Sequence, residues 1–560
     1  MDDRMQQQVQ AAAGVLAKLR RAFDAGVVAL ARGCLEEGRL SAVRLDAQQV
    51  AGFEMAWAGA ELLAAETSIG AVTPRSDSLQ VQLALVFAVD AIVAVLDRLD
   101  VMYAEAGLDP APVHALRTDA GWLALRAAAG SGAAVQEVGK AVVAAQGVVG
   151  EIPLDDQHAM AQDSFRRFAA EQVAPQAEAI HRHDLTVPES LLQPMRELGV
   201  FGLAIPEQYG GSAPNDRDDT LLMVVVTEAL SEGSLAAAGS LITRPEILTR
   251  ALMAGGTPEQ KEHWLPRLAT GDPLCAIAMT EPDYGSDLAA CSLKGTRVDG
   301  GWLLNGAKTW CTFAGKAGVL MVVTRTQPDR SLGHKGLSVL LAEKPSYDTH
   351  EFEYEQEGGG KLSGRAIPTI GYRGMHSFDL SFQDFFVPDA NVVGGEGGLG
   401  RGFYYTLAGM VGGRMQTSAR ACGVMRAALR AAVRYTQDRK VFGAPLAEFA
   451  LTQAKLARMA ARLAACRRLA YTVAGIVDSG QGRMEASLVK LLACRSAEGV
   501  TREALQLHGG MGYAEETAVS RYFVDARVLS IFEGAEETLA LKVVARSLME
   551  RALGLDAGGA

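Results

Sequence analysis

The chain has 560 residues, 49% hydrophobic and 21% charged, a composition typical of folded rather than disordered proteins. Its length predicts several domains, and a net charge of −11 at pH 7 argues against a nucleic-acid partner, which favours a basic surface. Seven scattered cysteines without a CxxC pair indicate reduced, buried thiols and no cysteine metal site. Since the N-terminus also lacks the pattern of a secretory signal, we expect a soluble cytoplasmic protein.

Residues 1–150 are Ala-rich with helical spacing and carry no catalytic constellation. Apolar residues at three- and four-residue steps predict one buried helix face: Val50, Phe53, Trp57, Ala60 and Leu63. Polar residues 76–78 predict the start of an apolar helix over 79–99. The most apolar part, 83–96, is interrupted by Asp90 and is too short and polar to span a bilayer, so we expect a buried helix and no membrane association. This extension is interpreted as a packing or dimerisation domain.

After a glycine-rich linker near residue 150, the pattern is helical over 154–272, β-rich over 273–400 and helical again over 401–553. The β-rich part contains short apolar runs such as 319–323 and 336–341, separated by turns such as 299–301. The predicted fold is therefore mainly α with a central β-domain, preceded by an extra helical domain.

The run Thr280–Asp287 follows a short apolar strand. Pro282 stiffens the turn, Gly285 lets a ligand approach the backbone, and Thr280 and Ser286 place hydroxyls at its edge. Taken alone, the run fits a capped turn without a ligand equally well.

The run Lys308–Thr312 follows a second strand and contains Trp310 and Thr312. An indole with a hydroxyl two residues away suits a stacked, planar heteroaromatic ligand. In isolation, however, a strand with Trp310 in the core is the favoured interpretation.

Two further motifs favour phosphate binding. Arg439 precedes a turn with Gly443, and Gly509–Gly510 form a glycine turn between predicted helices. A guanidinium pairs with diphosphate, and glycine N–H groups approach phosphate oxygens closely. Each motif alone is also compatible with an ordinary surface turn.

Together and in this order, these motifs resemble the acyl-CoA dehydrogenase family of flavoproteins over residues 154–553. The resemblance implies a helical N-terminal domain, a β-barrel-like middle domain and a C-terminal four-helix bundle. It also implies an FAD held between the latter two domains and across a subunit interface. The residues that the family pattern assigns to FAD are Ile277, Met279, Thr280, Ser286, Trp310, Thr312, Arg439, Phe442, Gln506, Gly509 and Gly510.

The same resemblance assigns the catalytic base to Glu533, near the end of a predicted long helical segment. Some relatives carry the base on the first bundle helix, but residues 409–414 contain no carboxylate here. The family mechanism implies that Glu533 removes the proton α to a thioester while its backbone N–H holds the thioester carbonyl and a hydride passes to the flavin. Ala450 and Ala535 depart from the pattern, since Gln and Thr are usual there and help to hold FAD.

Within the family, the N-terminal extension and the runs 371–377, 412–417 and 531–537 are most similar to the bacterial (2S)-methylsuccinyl-CoA dehydrogenases of the ethylmalonyl-CoA pathway. A carboxylated acyl group requires a cation near its tail. We hypothesise that Arg244 binds this carboxylate, with a salt bridge to Glu246 or a surface position as the alternatives. Ser286, Arg414 and Gly534 are the other expected substrate contacts.

Alternative functions remain open at this point: dehydrogenation of another short- or branched-chain acyl-CoA, a flavin monooxygenase or oxidase on the same scaffold, and a non-catalytic scaffold protein. The resemblance implies an electron-transferring flavoprotein as electron acceptor. Relatives without an extension are often tetramers that pair through their bundles, so we hypothesise that residues 1–150 cover the bundle and leave a homodimer.

Overall fold

The computed structural model describes residues 2–555 of the chain. The chain divides into two compact units, Met1–Asp156 together with Thr417–Ala560, and Gln157–Gln416. The first unit therefore combines the N-terminal extension with the C-terminal helices.

The extension is helical apart from one short hairpin, as the sequence predicts. Its elements are α1 (Asp3–Gly33), β1 (Leu35–Glu36), β2 (Arg39–Leu40), α2 (Ala42–Ala47), α3 (Gln49–Gly70), α4 (Ser78–Glu105), α5 (Ala111–Arg117), α6 (Ala120–Ala129) and α7 (Gly132–Ala144).

Helix α4 is longer than predicted, but its start is where the sequence indicates. The Asp77 carboxylate caps the helix by accepting the N–H of Gln80 at 2.8 Å. By length and composition α4 is sufficient to cross a membrane, so the expectation that this stretch is too short is wrong. Yet 61% of its most apolar 18-residue window is buried inside the protein, which is the environment of a core helix.

The prediction of a single apolar face on α3 is also wrong. Val50 is 65% exposed, whereas Trp57 and Ala60 are buried. Buried residues surround the helix because α3 packs against α1, α4 and C-terminal helices at the same time. A helix that is buried on all sides does not show a one-sided pattern.

The second unit begins with helices and continues into the β-domain. Its elements are α8 (Asp156–Phe168), α9 (Ala174–Arg182), α10 (Glu189–Glu197), α11 (Thr220–Gly233), α12 (Thr243–Gly255), α13 (Pro258–Ala269), β3 (Cys275–Ala278), β4 (Lys294–Val298), β5 (Gly301–Thr312), β6 (Val319–Arg325), β7 (Leu337–Glu343), β8 (Glu351–Glu355), β9 (Lys361–Ala366) and β10 (Ser377–Pro388).

The eight strands form one sheet in the order β3-β6-β4-β5-β10-β9-β8, with β7 also paired to β6. Neighbours are antiparallel except for β3 and β4, which both run parallel to β6. Alternate residues of β6 enter two different cores: Leu320 and Val322 face the aromatic core inside the sheet, and Val319, Met321 and Val323 pack with α12 and α13. This curled sheet confirms the barrel-like middle domain.

The remaining helices return to the first unit. They are α14 (Gly402–Asp438), which starts in the second unit, the hairpin β11 (Lys440–Val441) and β12 (Ala444–Pro445), α15 (Ala450–Asp478), α16 (Arg483–Leu507), α17 (Gly510–Tyr513), α18 (Ala518–Arg527), α19 (Glu536–Thr538), a π-helical segment Leu539–Ala545, and α20 (Arg546–Ala552).

The extension packs directly on α15 and α16. A Cβ added to Gly139 of α7 would lie 2.1 Å from the carbonyl oxygen of Gln453, so the two helices approach closer than any larger residue allows. Arg462 of α15 donates to both carboxylate oxygens of Glu61 in α3, at 2.7 and 3.0 Å. The extension is therefore part of the core of this unit.

A buried ion pair connects the turn after β3 to strand β5 at the start of the β-domain. The Lys308 ammonium on β5 lies 2.9 Å from Glu281, and their side chains are 0% and 4% exposed. Glu281 also accepts the N–H groups of Ser292 and Leu293 at 2.7 and 2.8 Å, and Lys308 donates to the carbonyl of Met279. Burial alone would raise the pKa of Glu281, but Lys308 and these N–H groups hold the pKa below its usual value.

We expect Glu281→Gln to lower the free energy of unfolding at pH 7 by about 3–5 kcal/mol, because the substitution leaves the Lys308 charge buried and unpaired. A carboxylate whose folded-state pKa is lowered stabilises the protein above its unfolded pKa, near 4.5, and this stabilisation disappears as the pH falls through the folded value. Denaturant unfolding at several pH values should therefore show the difference from wild type narrowing below about pH 4.5.

Glu353→Gln, at an exposed position on β8, is the matched control and should leave the stability unchanged. A difference between Glu281→Gln and wild type that stays constant down to pH 3 would contradict this role of the ion pair.

Candidate active site

The ligand residues predicted in the second unit meet where β3 and β5 end. The N–H of Thr309 donates to the carbonyl of Thr280 at 2.9 Å, which joins the turn after β3 to the end of β5. Ile277, Met279 and Thr280 are partly exposed, and Ser286 is exposed. A Cβ added to Gly285 meets nothing within 4 Å, so this turn is open to a ligand.

Trp310 does not lie in the core, contrary to the interpretation favoured for its motif alone. It is 55% exposed with φ +55°, while Cys311 beside it is 1% exposed. The positive φ turns the indole outward from a strand whose other residues at this end are buried. The Thr312 hydroxyl lies 2.9 Å from that of Ser377. A half-exposed indole near a hydroxyl pair fits a planar heteroaromatic ring such as a flavin.

The ligand residues predicted in the first unit are exposed without exception: Arg439, Phe442, Gln506, Gly509 and Gly510. Phe442 is 98% exposed, and the Arg439 side chain has no hydrogen bond or ion pair with residues 2–555. Gly509 has φ +57°, and an added Cβ at either glycine meets nothing within 4 Å. An exposed cation, an exposed ring and an open glycine backbone fit the phosphates and rings of a dinucleotide.

Glu533 lies in an irregular loop, so the prediction of a continuous helical segment at this position is wrong. After α18 and a 3-10 turn, Val528–Ser530, the chain stays irregular until α19. Glu533 has φ +54° and Gly534 has φ +94°, values that an α-helix does not contain. The backbone break places the Glu533 side chain outside a helical ladder, in a conformation that few non-glycine residues adopt.

Both polar groups of Glu533 remain available. The residue is half-buried, and among residues 2–555 its carboxylate has no hydrogen-bond donor or cation partner. Its backbone N–H likewise has no acceptor within that part of the chain. The loop therefore presents one base and one donor at the same residue.

Contacts on both sides hold this loop. Lys490 on α16 donates to the carbonyl of Gly534 at 2.6 Å, Arg495 pairs with Glu536, and Ser530 donates to Glu498. A Cβ added to Gly534 would lie 2.8 Å from the Leu539 side chain, so a larger residue would displace the loop. Neither Lys490 nor Arg495 was identified from the sequence, because each acts from another helix.

Arg244 is buried in the second unit, on α12, with 6% of its surface exposed. It is therefore not a surface charge. Its Nη1 donates to the Ser240 carbonyl at 2.8 Å and to the Tyr372 hydroxyl at 3.3 Å, both neutral oxygens. Within residues 2–555 the guanidinium has no carboxylate partner, so its charge is not balanced by the chain.

Glu246, the alternative partner of Arg244, belongs to a different network. Its carboxylate accepts Arg250 Nε at 2.7 Å and the side-chain amide of Gln416. Burial raises the pKa of Glu246 although the Arg250 guanidinium opposes the shift. Arg250 is further paired with Asp218 at 2.5 Å. The salt bridge between Arg244 and Glu246 is therefore absent from the structure.

The other predicted contacts have the following positions. Arg414 is buried on α14, Ala450 is the first residue of α15, and Ala535 precedes α19. Tyr372 lies in the run 371–377, and the sequence assigned it no role. It is 6% exposed, and its hydroxyl accepts a hydrogen bond from Arg244. Its contact depends on a loop that meets α12 only in the folded chain, so no local pattern reveals it.

Known proteins resemble this chain in sequence and fold. The acyl-CoA dehydrogenase N-terminal, middle and C-terminal domain families match residues 155–272, 276–385 and 400–549. Over 399 residues the chain is 41% identical to (2S)-methylsuccinyl-CoA dehydrogenase of Cereibacter sphaeroides, covering 71% of this chain and 70% of the relative. It is 36% identical to benzylmalonyl-CoA dehydrogenase of Aromatoleum aromaticum, covering 70% and 98%.

Among solved structures, a glutaryl-CoA dehydrogenase from Mycobacterium smegmatis in complex with FADH2 matches with a TM-score of 0.60 at 26% identity, covering 69% of this chain and 93% of that chain. The domain families together span the second unit and the C-terminal helices, where the candidate residues lie. The chain belongs to the acyl-CoA dehydrogenase family and is an oxidoreductase of that family.

Proposed function

We propose that this protein oxidises (2S)-methylsuccinyl-CoA to mesaconyl-CoA with FAD as cofactor, in the ethylmalonyl-CoA pathway. The observation that carries the substrate assignment is Arg244, a buried cation without a carboxylate partner among residues 2–555. Burying such a charge is costly unless an anion pairs with it, and the second carboxylate of methylsuccinyl-CoA is such an anion.

Two relatives support this choice. One is a methylsuccinyl-CoA dehydrogenase and another a benzylmalonyl-CoA dehydrogenase, and both names describe acyl groups with a second carboxylate. The former extends well beyond its aligned 70%, as this chain does, whereas 98% of the latter is aligned. The identity of 41% with the first relative, against 36% with the second, favours the first substrate.

Glu533 is the proposed general base. Its carboxylate takes the proton from the carbon α to the thioester, and its backbone N–H donates to the thioester carbonyl, where negative charge develops. Arg244 holds the distal carboxylate and so orients the β-carbon. FAD, when bound, accepts the β-hydride. Two sets of residues would hold FAD. The set in the second unit, which would bind the FAD of its own subunit, is Ile277, Met279, Thr280, Ser286, Trp310 and Thr312. The set in the first unit, which would bind the FAD of a neighbouring subunit, is Arg439, Phe442, Gln506, Gly509 and Gly510.

We further propose an electron-transferring flavoprotein as electron acceptor and a cytoplasmic location. The family resemblance supports the acceptor. All seven cysteines are free and buried, which suits a reducing compartment.

Glu533→Gln should lower kcat by about 10²–10⁴-fold, because the amide keeps the shape of the side chain but accepts no proton. The FAD content should stay at the wild-type level. Steady-state turnover with an artificial electron acceptor and the flavin absorbance measure the two quantities. Glu537→Gln, at an exposed carboxylate in the same segment, is the control and should keep wild-type turnover. Near-normal turnover of Glu533→Gln would exclude it as the base.

Arg244→Met should raise KM for methylsuccinyl-CoA by about 10- to 100-fold, since it removes a charged hydrogen bond worth about 1.5–3 kcal/mol. KM for butyryl-CoA, which has no second carboxylate, should change little. Arg297→Met, at a half-exposed arginine of the same unit, is the matched control. An equal loss on both substrates would remove the carboxylate role of Arg244.

The intact protein should be a homodimer with twice the 59.2 kDa chain mass. The extension covers α15 and α16 within its own chain. We propose that it thereby covers the bundle surface through which relatives without an extension form tetramers. Light scattering on the FAD-loaded protein measures the mass directly. A tetramer would show that the extension does not block the bundle surface.

A further inference from the structure

Asp184, His350 and His376 form a cluster in the second unit, which we call the histidine–aspartate cluster. One ligand atom from each residue lies within 4.8 Å of those of the other two. The residues come from three separate segments: Asp184 follows α9, His350 precedes β8, and His376 precedes β10. None of them belongs to the proposed site of proton and hydride transfer.

The polar atoms of the cluster are incompletely satisfied. His376 is 7% exposed, and its Nε2 lies 3.1 Å from an Asp184 carboxylate oxygen. Its Nδ1 is buried without a hydrogen-bond partner among residues 2–555. The His350 ring lies 4.3 Å from the His376 ring, centroid to centroid. Nδ1 points away from the direction of Nε2, so Nε2, which faces Asp184, is the His376 atom that would bind an ion together with this carboxylate.

The three segments are held together without the cluster. The N–H of Val187 donates to the carbonyl of Gly374 at 3.3 Å, which ties the segment after α9 to the one that carries His376. The Thr186 hydroxyl donates to Asp348, which ties the same segment to the one that carries His350. These contacts hold the three segments together without an ion, so the ligand atoms already lie near each other.

One cation stands next to the cluster. Arg373 Nε lies 3.7 Å from Asp184, but the guanidinium donates to the carbonyls of Thr369 and His181 at 3.2 and 3.1 Å. These carbonyls satisfy Arg373 without Asp184, so the carboxylate remains available as a ligand. The nearby positive charge lowers the affinity for a metal cation and predicts moderate rather than tight binding.

We propose that the histidine–aspartate cluster binds a divalent zinc ion through two imidazole nitrogens and one carboxylate oxygen. Zinc takes nitrogen and oxygen ligands at about 2.0–2.2 Å in tetrahedral geometry, which places ligand atoms about 3.3 Å apart. His350 is exposed, so its side chain is free to close the remaining distance and water fills the fourth position. Magnesium and calcium prefer oxygen ligands and suit this set poorly.

The ion would be structural and would act on the neighbouring site through the backbone. The carbonyl of His376 accepts the N–H of Phe313 at 2.8 Å, and Ser377, the next residue, meets the Thr312 hydroxyl. A metal that fixes His376 therefore fixes the segment beside Thr312. This inference is independent of the substrate proposal, since it concerns residues that contact neither Arg244 nor Glu533.

The test measures zinc retained by the FAD-loaded protein after chelator treatment and dialysis against low-micromolar Zn²⁺. The variants are His350→Gln, whose side chain is exposed, and Asp184→Asn. His263→Gln is the matched control, because His263 is an exposed histidine of the same unit outside the cluster. Thermal unfolding with and without Zn²⁺ is the second measurement.

Wild type and His263→Gln should retain one zinc ion per chain, and Zn²⁺ should raise their unfolding temperature. His350→Gln and Asp184→Asn should bind at least about tenfold more weakly. A wild-type protein that retains no zinc would overturn the proposal. Equal retention by wild type and both cluster variants would also overturn it, because the metal would then be bound elsewhere.

Discussion

The buried ion pair between Glu281 and Lys308 is the interaction on which the β-domain part of the site depends. The Glu281 carboxylate pairs with the Lys308 ammonium of β5 and accepts hydrogen bonds from the N–H groups of Ser292 and Leu293. Glu281 directly follows Thr280 in the chain. The turn after β3, the segment before β4 and the end of β5 therefore share one charged centre. Because the pair is buried, its hydrogen bonds are strong and leaving either charge alone is costly. The rigid connection explains how a turn residue such as Thr280 and a strand residue such as Trp310 come to one edge of the sheet.

The first unit depends on a different constraint, which is the close approach of the extension to the bundle. Gly139 allows α7 to touch α15, and the Glu61–Arg462 pair joins α3 to the same helix. Burial would lower the pKa of the Arg462 guanidinium, but Glu61 raises it above its ordinary value, so the guanidinium stays charged inside the unit. The same unit carries Glu533 in a loop that Lys490 and Arg495 hold from α16. Since α16 also packs on α3, the extension supports the helix that positions the proposed base.

The sequence predicted the architecture well because its signals are local. Motif order identified the family, the apolar runs located β6 and β7, and polar residues before α4 identified its cap. It failed where the deciding partner is distant in the chain. The exposure of Trp310 and Val50, the burial of Arg244, and the break at Glu533 each depend on tertiary contacts or on a strained φ that composition does not encode. The histidine–aspartate cluster likewise joins three separate segments and has no sequence spacing to reveal it.

We propose that this acyl-CoA dehydrogenase acts on an acyl group with a distal carboxylate, which would pair with the buried Arg244 of the second unit. The most direct measurement is anaerobic reduction of the bound flavin in a single turnover, with (2S)-methylsuccinyl-CoA, butyryl-CoA and isovaleryl-CoA compared at saturating concentrations. Methylsuccinyl-CoA should bleach the flavin absorbance quickly, and the two neutral substrates should bleach it slowly. Fast reduction by butyryl-CoA or isovaleryl-CoA with none by methylsuccinyl-CoA would contradict the proposal.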